Sequence, residues 1–397
     1  MSSPSSYDLS TVRSSLPILE EVTYLNTGTV GIMAEPVLAA HVAAVTQYER
    51  GGHAAEGAAR EGYERARATV ACLIGAQPDE IALTRNATDG VALIAASLPL
   101  GPDDLVLTTD QEHPAVLLPW ALAQRRGRGR LTFFPVSPDP EETLSRFMQA
   151  LRPATKLVVV SHVSCETGAR LPVEPICACC RERGILTLID CAQSVGQFPV
   201  DVQRIGCDFA TANGHKWLCG PKGTGFLYVR RDRLDLVEPP LIGEGAASPP
   251  FDRRFLGEDP ASAPWSFVAS ARRFEYGTRN FHDYVALSAA VEYLDALGWE
   301  AIERHMAAMS GIFKEALAAE PGVTLYSPRP WEDSSGLVTF GVEGWTGEEL
   351  SRRLWEDYRI IQRRVQVPDA VRVSCAYFTG PEDLERLLSA LHALRSR

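Results

Sequence analysis

Residues 206–226 read GCDFATANGHKWLCGPKGTGF, and this stretch decides the fold. An apolar segment ends at a turn over Asn213–Gly214. Lys216 follows between an imidazole and an indole, and a glycine-rich turn leads into a strand-like run from Phe226. Lys216 is thus predicted on a tight turn between two strands, where partial burial would lower its pKa and make it a nucleophile toward a carbonyl or aldehyde. A solvated surface lysine is the alternative, and this stretch alone does not separate the two.

The composition excludes several classes of protein. The chain has 397 residues, enough for two domains, and its net charge of −11 argues against a nucleic-acid partner, because phosphates bind to a basic face. No apolar run approaches the roughly 18 residues of a membrane span, and no secretory signal is expected. Nine cysteines without disulfide-type spacing indicate reduced thiols and a cytoplasmic protein. The group 177–180 lacks a partner His or Cys pair, so no metal site is expected.

Short apolar runs alternate with helical patterns from residue 81 onward. Continuously apolar strands between helices predict a mostly parallel sheet that is covered on both faces. The expected strands are 81–84, 105–108, 131–136, 157–160, 185–189 and 226–229. Two helical patterns, 35–50 and 56–74, precede them.

The pattern changes after a stretch rich in Pro, Gly and Ala, residues 238–273, which is expected to be a long loop that could cover a site. Beyond it we expect helices over 284–297 and from 299, strands near 336–342 and 371–375, and a final amphipathic helix. These elements predict a smaller α/β domain. We place a large cofactor-binding domain at 21–279 and the small domain at 1–20 together with 280–397.

Polar side chains follow the predicted strands where these end, and in a parallel sheet such ends form the ligand crevice. The free N–H groups of TRNATDG (84–90), with the hydroxyl of Thr88, would form an anion cradle suited to phosphate. An ordinary helix cap explains the same residues. His113 comes at the next strand end, where its flat ring could either stack on an aromatic cofactor or be structural.

Asp190 ends the apolar strand 185–189, an unfavourable place for a carboxylate unless a cation is near. A protonated ring nitrogen would supply that cation, and Gln193 could donate a hydrogen bond to a ring oxygen. A helix-capping aspartate is the alternative. A reactive lysine, a buried aspartate, a stacking imidazole and a phosphate cradle together describe a site for pyridoxal 5′-phosphate (PLP), in which the aspartate makes the ring an electron sink.

With these residues in place, the chain resembles the class V aminotransferase family of PLP enzymes, which includes cysteine desulfurases, isopenicillin-N-epimerase-like proteins and cysteine/cystine C–S lyases. The resemblance extends over nearly the whole chain. Motifs in the family's order and approximate spacing are TRNATDG (84–90), EHPAVLLPW (112–120), SHVSCETG (161–168), DCAQSVG (190–196), NGHKW (213–217), FEYGTRN (274–280) and RVSCAYF (372–378).

The resemblance implies the type I fold of PLP-dependent transferases, with a mostly parallel seven-stranded-type sheet in the large domain, and a homodimer with its active sites at the subunit interface. Lys216 would be the Schiff-base lysine, Asp190 the partner of the pyridinium, Gln193 the contact to the phenolic oxygen and His113 the stacking ring. The residues implied to hold the phosphate are Ala87, Thr88, Asn213 and His215, with Thr278 from the other subunit.

The implied substrate is a small amino acid whose α-carboxylate binds Arg372. Arg363 has the spacing of the second carboxylate-binding arginine of the cysteine/cystine lyases, and Asn26 is a further substrate-binding candidate. Desulfurases carry a persulfide-forming cysteine in the loop before Arg372, but no cysteine occurs between Cys219 and Cys375. Where desulfurases have an asparagine near the cofactor, this chain has Cys165.

These departures favour a C–S lyase that acts by β-elimination on an L-cysteine derivative or cystine. An epimerase or racemase and a cysteine desulfurase with a mobile acceptor thiol are the alternatives within the family. From other classes, a catalytically silent binding protein would not need Lys216, Asp190 and His113 together. A nicotinamide dehydrogenase would need a G-x-G-x-x-G motif at its first strand-to-helix turn, and none opens the sheet.

Overall fold

A seven-stranded sheet lies at the centre of the larger part of the protein. The computed structural model describes residues 7–248 and 265–395, so the central part of the loop expected over 238–273 lies outside the described residues. The strands of the sheet are β1 (Ile81–Thr84), β2 (Leu105–Thr109), β3 (Arg130–Phe134), β4 (Thr155–Ser161), β5 (Leu186–Asp190), β6 (Phe209–Asn213) and β7 (Gly225–Val229). Their order is β1-β7-β6-β5-β4-β2-β3.

All neighbouring strands of this sheet are parallel except on the two sides of β7. The chain returns from β6 to β7 without a helix, through the turn that carries Lys216, and a parallel connection would need a longer crossover. The predicted mostly parallel α/β sheet is therefore confirmed. The single antiparallel strand follows from the tightness of the turn that presents the lysine.

Helices pack on both faces of the sheet. The α-helices of the described residues, of which the last three pack on a second sheet built from the end of the chain, are α1 (Leu9–Ser14), α2 (Glu35–Gly51), α3 (Glu56–Leu73), α4 (Ala87–Ser97), α5 (Pro114–Arg125), α6 (Pro140–Ala150), α7 (Val173–Glu182), α8 (Val202–Ile205), α9 (Phe281–Leu297), α10 (Trp299–Ala319), α11 (Gly347–Tyr358) and α12 (Pro381–Arg395). Successive residues of β4 show the two covered faces, because Leu157 and Val159 belong to one hydrophobic cluster while Val158 and Val160 belong to the other. No helix of the described ranges is long and apolar enough to cross a membrane.

A second, four-stranded sheet is built from the last part of the chain. Its strands are β8 (Val323–Leu325), β9 (Leu337–Val342), β10 (Arg363–Val365) and β11 (Ala370–Ser374). They pair antiparallel in the order β8-β9-β11-β10 around a separate hydrophobic cluster. The segment Thr23–Tyr24 pairs with Ile360–Ile361, and Ser374 N–H donates to the Leu25 carbonyl at 2.8 Å. The domain boundaries near residues 20 and 279 stay predictions.

One strand is shorter than its sequence indicates. The apolar run was expected to extend through Val136, but β3 ends at Phe134. The N–H of Val136 donates to a carboxylate oxygen of Asp110 at 2.9 Å, so a side chain from the neighbouring strand end replaces the backbone partner that would continue the ladder. An apolar pattern alone could not show this contact.

A buried ion pair fixes the segment that leads to Thr278. Arg67 is 1% exposed and binds both carboxylate oxygens of Glu275, while its guanidinium also donates to the Ile81 carbonyl at 2.8 Å. Glu275 additionally accepts the N–H of Leu83 at 2.7 Å. The carboxylate therefore ties the 274–280 segment to α3 and β1 at once.

We expect Arg67→Met to lower the free energy of unfolding by about 3 kcal/mol, because it leaves the Glu275 carboxylate buried without its cation. The measurement is urea denaturation followed by circular dichroism. Arg60→Met is the matched control, since Arg60 pairs with Glu56 at the surface with 65% of its side chain exposed, and we expect it to change stability by under about 0.5 kcal/mol. Equal effects of the two substitutions would contradict the anchoring role of the buried pair.

Candidate active site

Lys216 lies on the turn between β6 and β7, as predicted. The turn is closed by backbone hydrogen bonds, in which Gly214 N–H donates to the Thr224 carbonyl and Gly220 N–H to the Gly214 carbonyl, both at 2.8 Å. Gly31 N–H donates to the His215 carbonyl at 2.7 Å, and a Cβ on Gly31 would clash with the Lys216 carbonyl oxygen. The segment formed by residues 26–31 can pack against the lysine turn only because residue 31 is a glycine.

The charge of Lys216 is disfavoured by its surroundings. Burial lowers the pKa of the lysine, the nearby charges of Arg372 and Arg363 lower it further, and Asp190 opposes the shift. The side chain is half-buried. These contributions favour a neutral amine, which is the nucleophilic form.

Asp190 ends β5 and is 5% exposed. One of its carboxylate oxygens accepts the N–H of Ala192 at 2.8 Å, and within the described ranges no cation lies at ion-pair distance. Burial raises the pKa of Asp190, although the charge of Lys216 and the Ala192 N–H act in the opposite direction. A carboxylate in this state gains a counter-ion if a protonated ring nitrogen binds beside it.

His113 caps the start of α5. Its Nδ1 accepts the N–H of Ala115 at 3.1 Å, so the neutral ring carries its proton on Nε2. Burial and the positive charge of Lys216 lower the pKa of His113 to about 4. The ring is therefore uncharged at neutral pH, which suits stacking on another ring.

The expected phosphate cradle at the start of α4 is partly occupied by protein groups. Ala87 N–H donates to Oδ1 of Asn213 at 2.9 Å, and Asp89 N–H donates to the capping oxygen of Asn86 at 2.9 Å. Thr88 is exposed at this helix end. A phosphate would have to use Thr88, the amide group of Asn213 and His215 in preference to the main chain of Ala87.

His215 contributes a buried ring nitrogen to this end of the site. Its Nδ1 is buried and has no hydrogen-bond partner in the part of the chain that the structure describes. Burial and the charges of Lys216 and Lys222 lower the pKa of His215 to about 4. An anion bound here would satisfy the nitrogen and restore its proton.

Thr278 does not join this group within its own chain. It is exposed, and it lines a separate cavity together with Tyr63 and Arg279. The predicted contact from another subunit therefore stays a prediction.

Two arginines face each other in the small sheet. Arg363 and Arg372 are directly opposite on the paired strands β10 and β11. Arg372 is 1% exposed. Its Nη1 donates to the Cys165 carbonyl, its Nη2 to the Thr29 hydroxyl at 3.2 Å, and its Nε has no partner among the described residues. Arg363 reaches the same hydroxyl at 3.5 Å.

Neither arginine has a carboxylate within 4 Å among the residues that the structure describes. Burial lowers the pKa of Arg372 to about 10, and the charge of Arg363 acts in the same direction. Like charges directly opposite on paired strands destabilise a sheet, and a buried cation without a partner adds to that cost. The pair is therefore suited to bind an anionic ligand.

Three further residues complete the site. Gln193 donates from Nε2 to the Gly28 carbonyl and accepts from the Trp217 indole, both at 2.8 Å. Asn26 lies in the segment that packs on the lysine turn, and its buried Oδ1 has no partner within the described chain. Burial raises the pKa of Cys165 to about 12, so this thiol stays protonated. Sequence reasoning missed Gly28, Thr29 and Trp217, whose contacts come from distant parts of the chain.

The residues present fit pyridoxal phosphate. The site offers a desolvated amine, a buried carboxylate without a cation and an imidazole nitrogen without a partner. These groups match the aldehyde, the pyridinium and the phosphate. The charges of Asp190, Arg372 and Arg363 act on the pKa of Lys216, and the segment 26–31 contacts both the lysine turn and the two arginines.

Comparisons with known proteins show that the chain is similar to one family over most of its length. The family model for class V aminotransferases matches residues 33–387. A probable cysteine desulfurase from Mycobacterium leprae is 32% identical, with 97% of this chain and 96% of the relative covered. Isopenicillin N epimerase from Streptomyces clavuligerus is 35% identical, with 83% of this chain and 84% of the relative covered.

Solved structures are also similar to this chain over nearly its whole length. The cystine C–S lyase C-DES in complex with its product cysteine persulfide superposes with a TM-score of 0.86 at 28% identity, covering 95% of this chain and 98% of the lyase. A mutant of the same lyase with glycine covalently linked to its PLP cofactor also gives 0.86, at 29% identity with 96% of this chain and 98% of the lyase covered. A cysteine desulfurase from Thermococcus onnurineus gives 0.85 at 29% identity, with 97% of each chain covered.

We expect Lys216→Ala to abolish covalent attachment of the cofactor. The measurement is the visible absorbance of the bound cofactor and the mass added to the protein after borohydride reduction. Lys222→Ala is the matched control, because Lys222 is an exposed lysine on the same connection whose Nζ donates to the Gly31 carbonyl. A reducible lysine–cofactor linkage in the Lys216→Ala protein would show that another amine is the anchor.

Proposed function

This chain belongs to the class V aminotransferase family of PLP-dependent enzymes, and on that premise we propose that it is a C–S lyase that acts on an L-cysteine derivative or cystine. The products are a thiol or persulfide, pyruvate and ammonia. The observation that carries the proposal is the opposed pair Arg363 and Arg372, two cations with no protein counter-ion within the described residues.

Arg372 is the group that would hold the substrate's α-carboxylate. It is the more buried of the two arginines, and its contacts with Thr29 and the Cys165 carbonyl fix the guanidinium. A bidentate arginine–carboxylate pair orients the substrate as well as binding it. Arg363, at the half-buried edge of the pair, would then meet a second carboxylate, such as the one at the far end of cystine.

Lys216 is the residue that would move the proton. Burial and the two arginines favour its neutral form, which can accept the proton from the substrate α-carbon. PLP, when bound, supplies the electron sink for the carbanion. Asp190 would keep the ring nitrogen charged and His113 would support the ring face. Loss of the β-sulfur leaves aminoacrylate, which hydrolyses to pyruvate and ammonia.

The cysteines favour a lyase over a desulfurase. A persulfide acceptor has to be an accessible thiolate, and the hairpin between β10 and β11 holds only residues 366–369, without a cysteine. Cys165 and Cys375 are both buried, and burial raises the pKa of each thiol. Sulfur is therefore expected to leave with the product.

An epimerase is the second candidate, and the 35% identity to isopenicillin N epimerase supports it. The same lysine could return the proton to the α-carbon. Exchange of the α-hydrogen with solvent deuterium, without formation of pyruvate, would identify this reaction.

A cytoplasmic homodimer is part of the proposal. Thr278 is exposed at the end of the segment that the Arg67–Glu275 pair anchors, so it is free to approach a second subunit. In that arrangement the partner would supply a hydroxyl to a phosphate cradle in which the Ala87 N–H is already engaged.

Cys165→Ser and Cys375→Ser are expected to retain β-elimination within about threefold of the parent, because neither buried thiol is used in the reaction. The experiment incubates the purified enzyme with cystine and S-substituted cysteines and measures pyruvate, alanine and the sulfur product. Pyruvate and sulfur product should form in equal amounts. If alanine forms in place of pyruvate and one cysteine variant loses activity, the enzyme is a desulfurase and the lyase assignment is wrong.

Arg372→Ala is expected to lower kcat/KM about a hundredfold for every substrate, because the α-carboxylate loses its orienting partner. Arg363→Ala should cost about tenfold for cystine, the value of a hydrogen bond to a charged group, and under about threefold for S-methylcysteine. Arg364→Ala is the matched control, since this exposed neighbour pairs with Glu348. Equal losses on both substrates for Arg363→Ala would contradict recognition of a second carboxylate.

A further inference from the structure

The amide of Gln193 is held in one orientation by two buried hydrogen bonds. Gln193 and Trp217 are 4% and 2% exposed. The indole N–H of Trp217 can only donate, so the atom that it meets must be the amide oxygen of Gln193. The Gly28 carbonyl can only accept, so it must face the amide nitrogen. Each bond alone fixes which end of the amide is oxygen and which is nitrogen, and the two agree.

Both partners of Gln193 are themselves fixed. A Cβ on Gly196, whose φ is +98°, would lie 2.8 Å from the backbone carbon of Trp217, so the chain just after Gln193 packs directly on the tryptophan. Gly28 donates its N–H to the Ser374 hydroxyl at 3.1 Å. The amide is therefore held between two rigid points, and rotation would exchange both hydrogen bonds for repulsive contacts.

The amide nitrogen of Gln193 carries two hydrogens, and the Gly28 carbonyl accepts one. Among the described residues, no acceptor is present for the second hydrogen of this nitrogen. Gln193 follows Asp190 by three residues in the chain. It also accepts a hydrogen bond from Trp217, the residue after Lys216. Asp190 and Lys216 would hold bound PLP by its ring nitrogen and its aldehyde carbon, respectively. The phenolic oxygen is on the ring carbon adjacent to the one that bears the aldehyde.

We propose that Trp217 is a positioning residue, which orients the Gln193 amide so that its second N–H donates to the phenolic oxygen of bound PLP. Trp217 does not touch the cofactor in this assignment and acts only through Gln193. The inference depends on the cofactor and on none of the steps of the proposed lyase reaction.

The orientation has a spectroscopic consequence. In the resting enzyme the phenolic oxygen holds a proton on the nitrogen that joins Lys216 to the cofactor. A donor bound to that oxygen withdraws part of its charge, so the proton is released at lower pH. Loss of the donor therefore raises the midpoint at which the absorbance of the bound cofactor changes with pH.

The test is a pH titration of that absorbance in the purified holoenzyme without substrate. We expect Trp217→Phe and Gln193→Met each to raise the midpoint by about one pH unit, which corresponds to a hydrogen bond to a charged group. In the double variant the two shifts should not add, because Trp217 has no other route to the cofactor.

Trp120→Phe is the matched control. Trp120 is also buried, at 1% exposure, but its indole N–H has no partner among the described residues, so the midpoint should stay unchanged. If Trp217→Phe does not fold, benzothienylalanine at position 217 replaces it, because it keeps the shape of the indole and lacks the N–H.

Three outcomes would overturn the proposal. A shift in Gln193→Met without one in the Trp217 variants would show that the amide keeps its orientation without the indole. Shifts that add in the double variant would show that Trp217 acts by another route. No shift in Gln193→Met would show that the amide does not face the phenolic oxygen. Because no substrate is used, failure of the lyase reaction would leave all of these results unaffected.

Discussion

Charged groups buried without ion-pair partners are the feature on which the rest of this structure depends. Asp190 and Arg372 are almost fully enclosed, Lys216 is desolvated, and none has an opposite charge within 4 Å in the described ranges. Taking such groups out of water without an opposite charge costs several kcal/mol each. Two hydrophobic clusters on the faces of the large sheet, and a third around the small sheet, offset that cost. A bound cofactor and an amino-acid carboxylate would supply the missing charges.

The fold brings these charges together by different routes. Asp190 ends β5 and Lys216 lies on the turn that follows the neighbouring strand β6, so strand pairing and this turn bring the two residues to the same edge of the large sheet. Arg363 and Arg372 come from the other sheet, which is built from a later part of the chain. The residue-26–31 segment connects the two, since Gly31 packs on the lysine turn while Thr29 contacts both arginines. A short N-terminal segment therefore closes the site.

Local patterns predicted most of what lies on the large sheet. The strands around Asp190 and Lys216 were predicted correctly from an apolar run and two turns. Such patterns are sufficient because burial and turn preferences depend on residues that are close in the sequence. Contacts between distant residues were not predictable in this way. The bond from Arg372 to Thr29 joins positions 343 apart, and the engagement of the Ala87 N–H by Asn213 joins positions 126 apart. Each depends on a side-chain orientation that no periodicity encodes.

The two backbone hydrogen bonds of Gly28 connect the large sheet to the small sheet. Its carbonyl accepts from Gln193 beside the cofactor strand, and its N–H donates to Ser374 at the end of β11 in the small sheet. A rotation of the small sheet relative to the large one has to stretch or break one of these bonds. If the Gln193 amide does touch the cofactor, such a rotation changes the colour of the enzyme. Any such rotation on binding of an amino acid could then be followed with the protein's own chromophore, without an attached label.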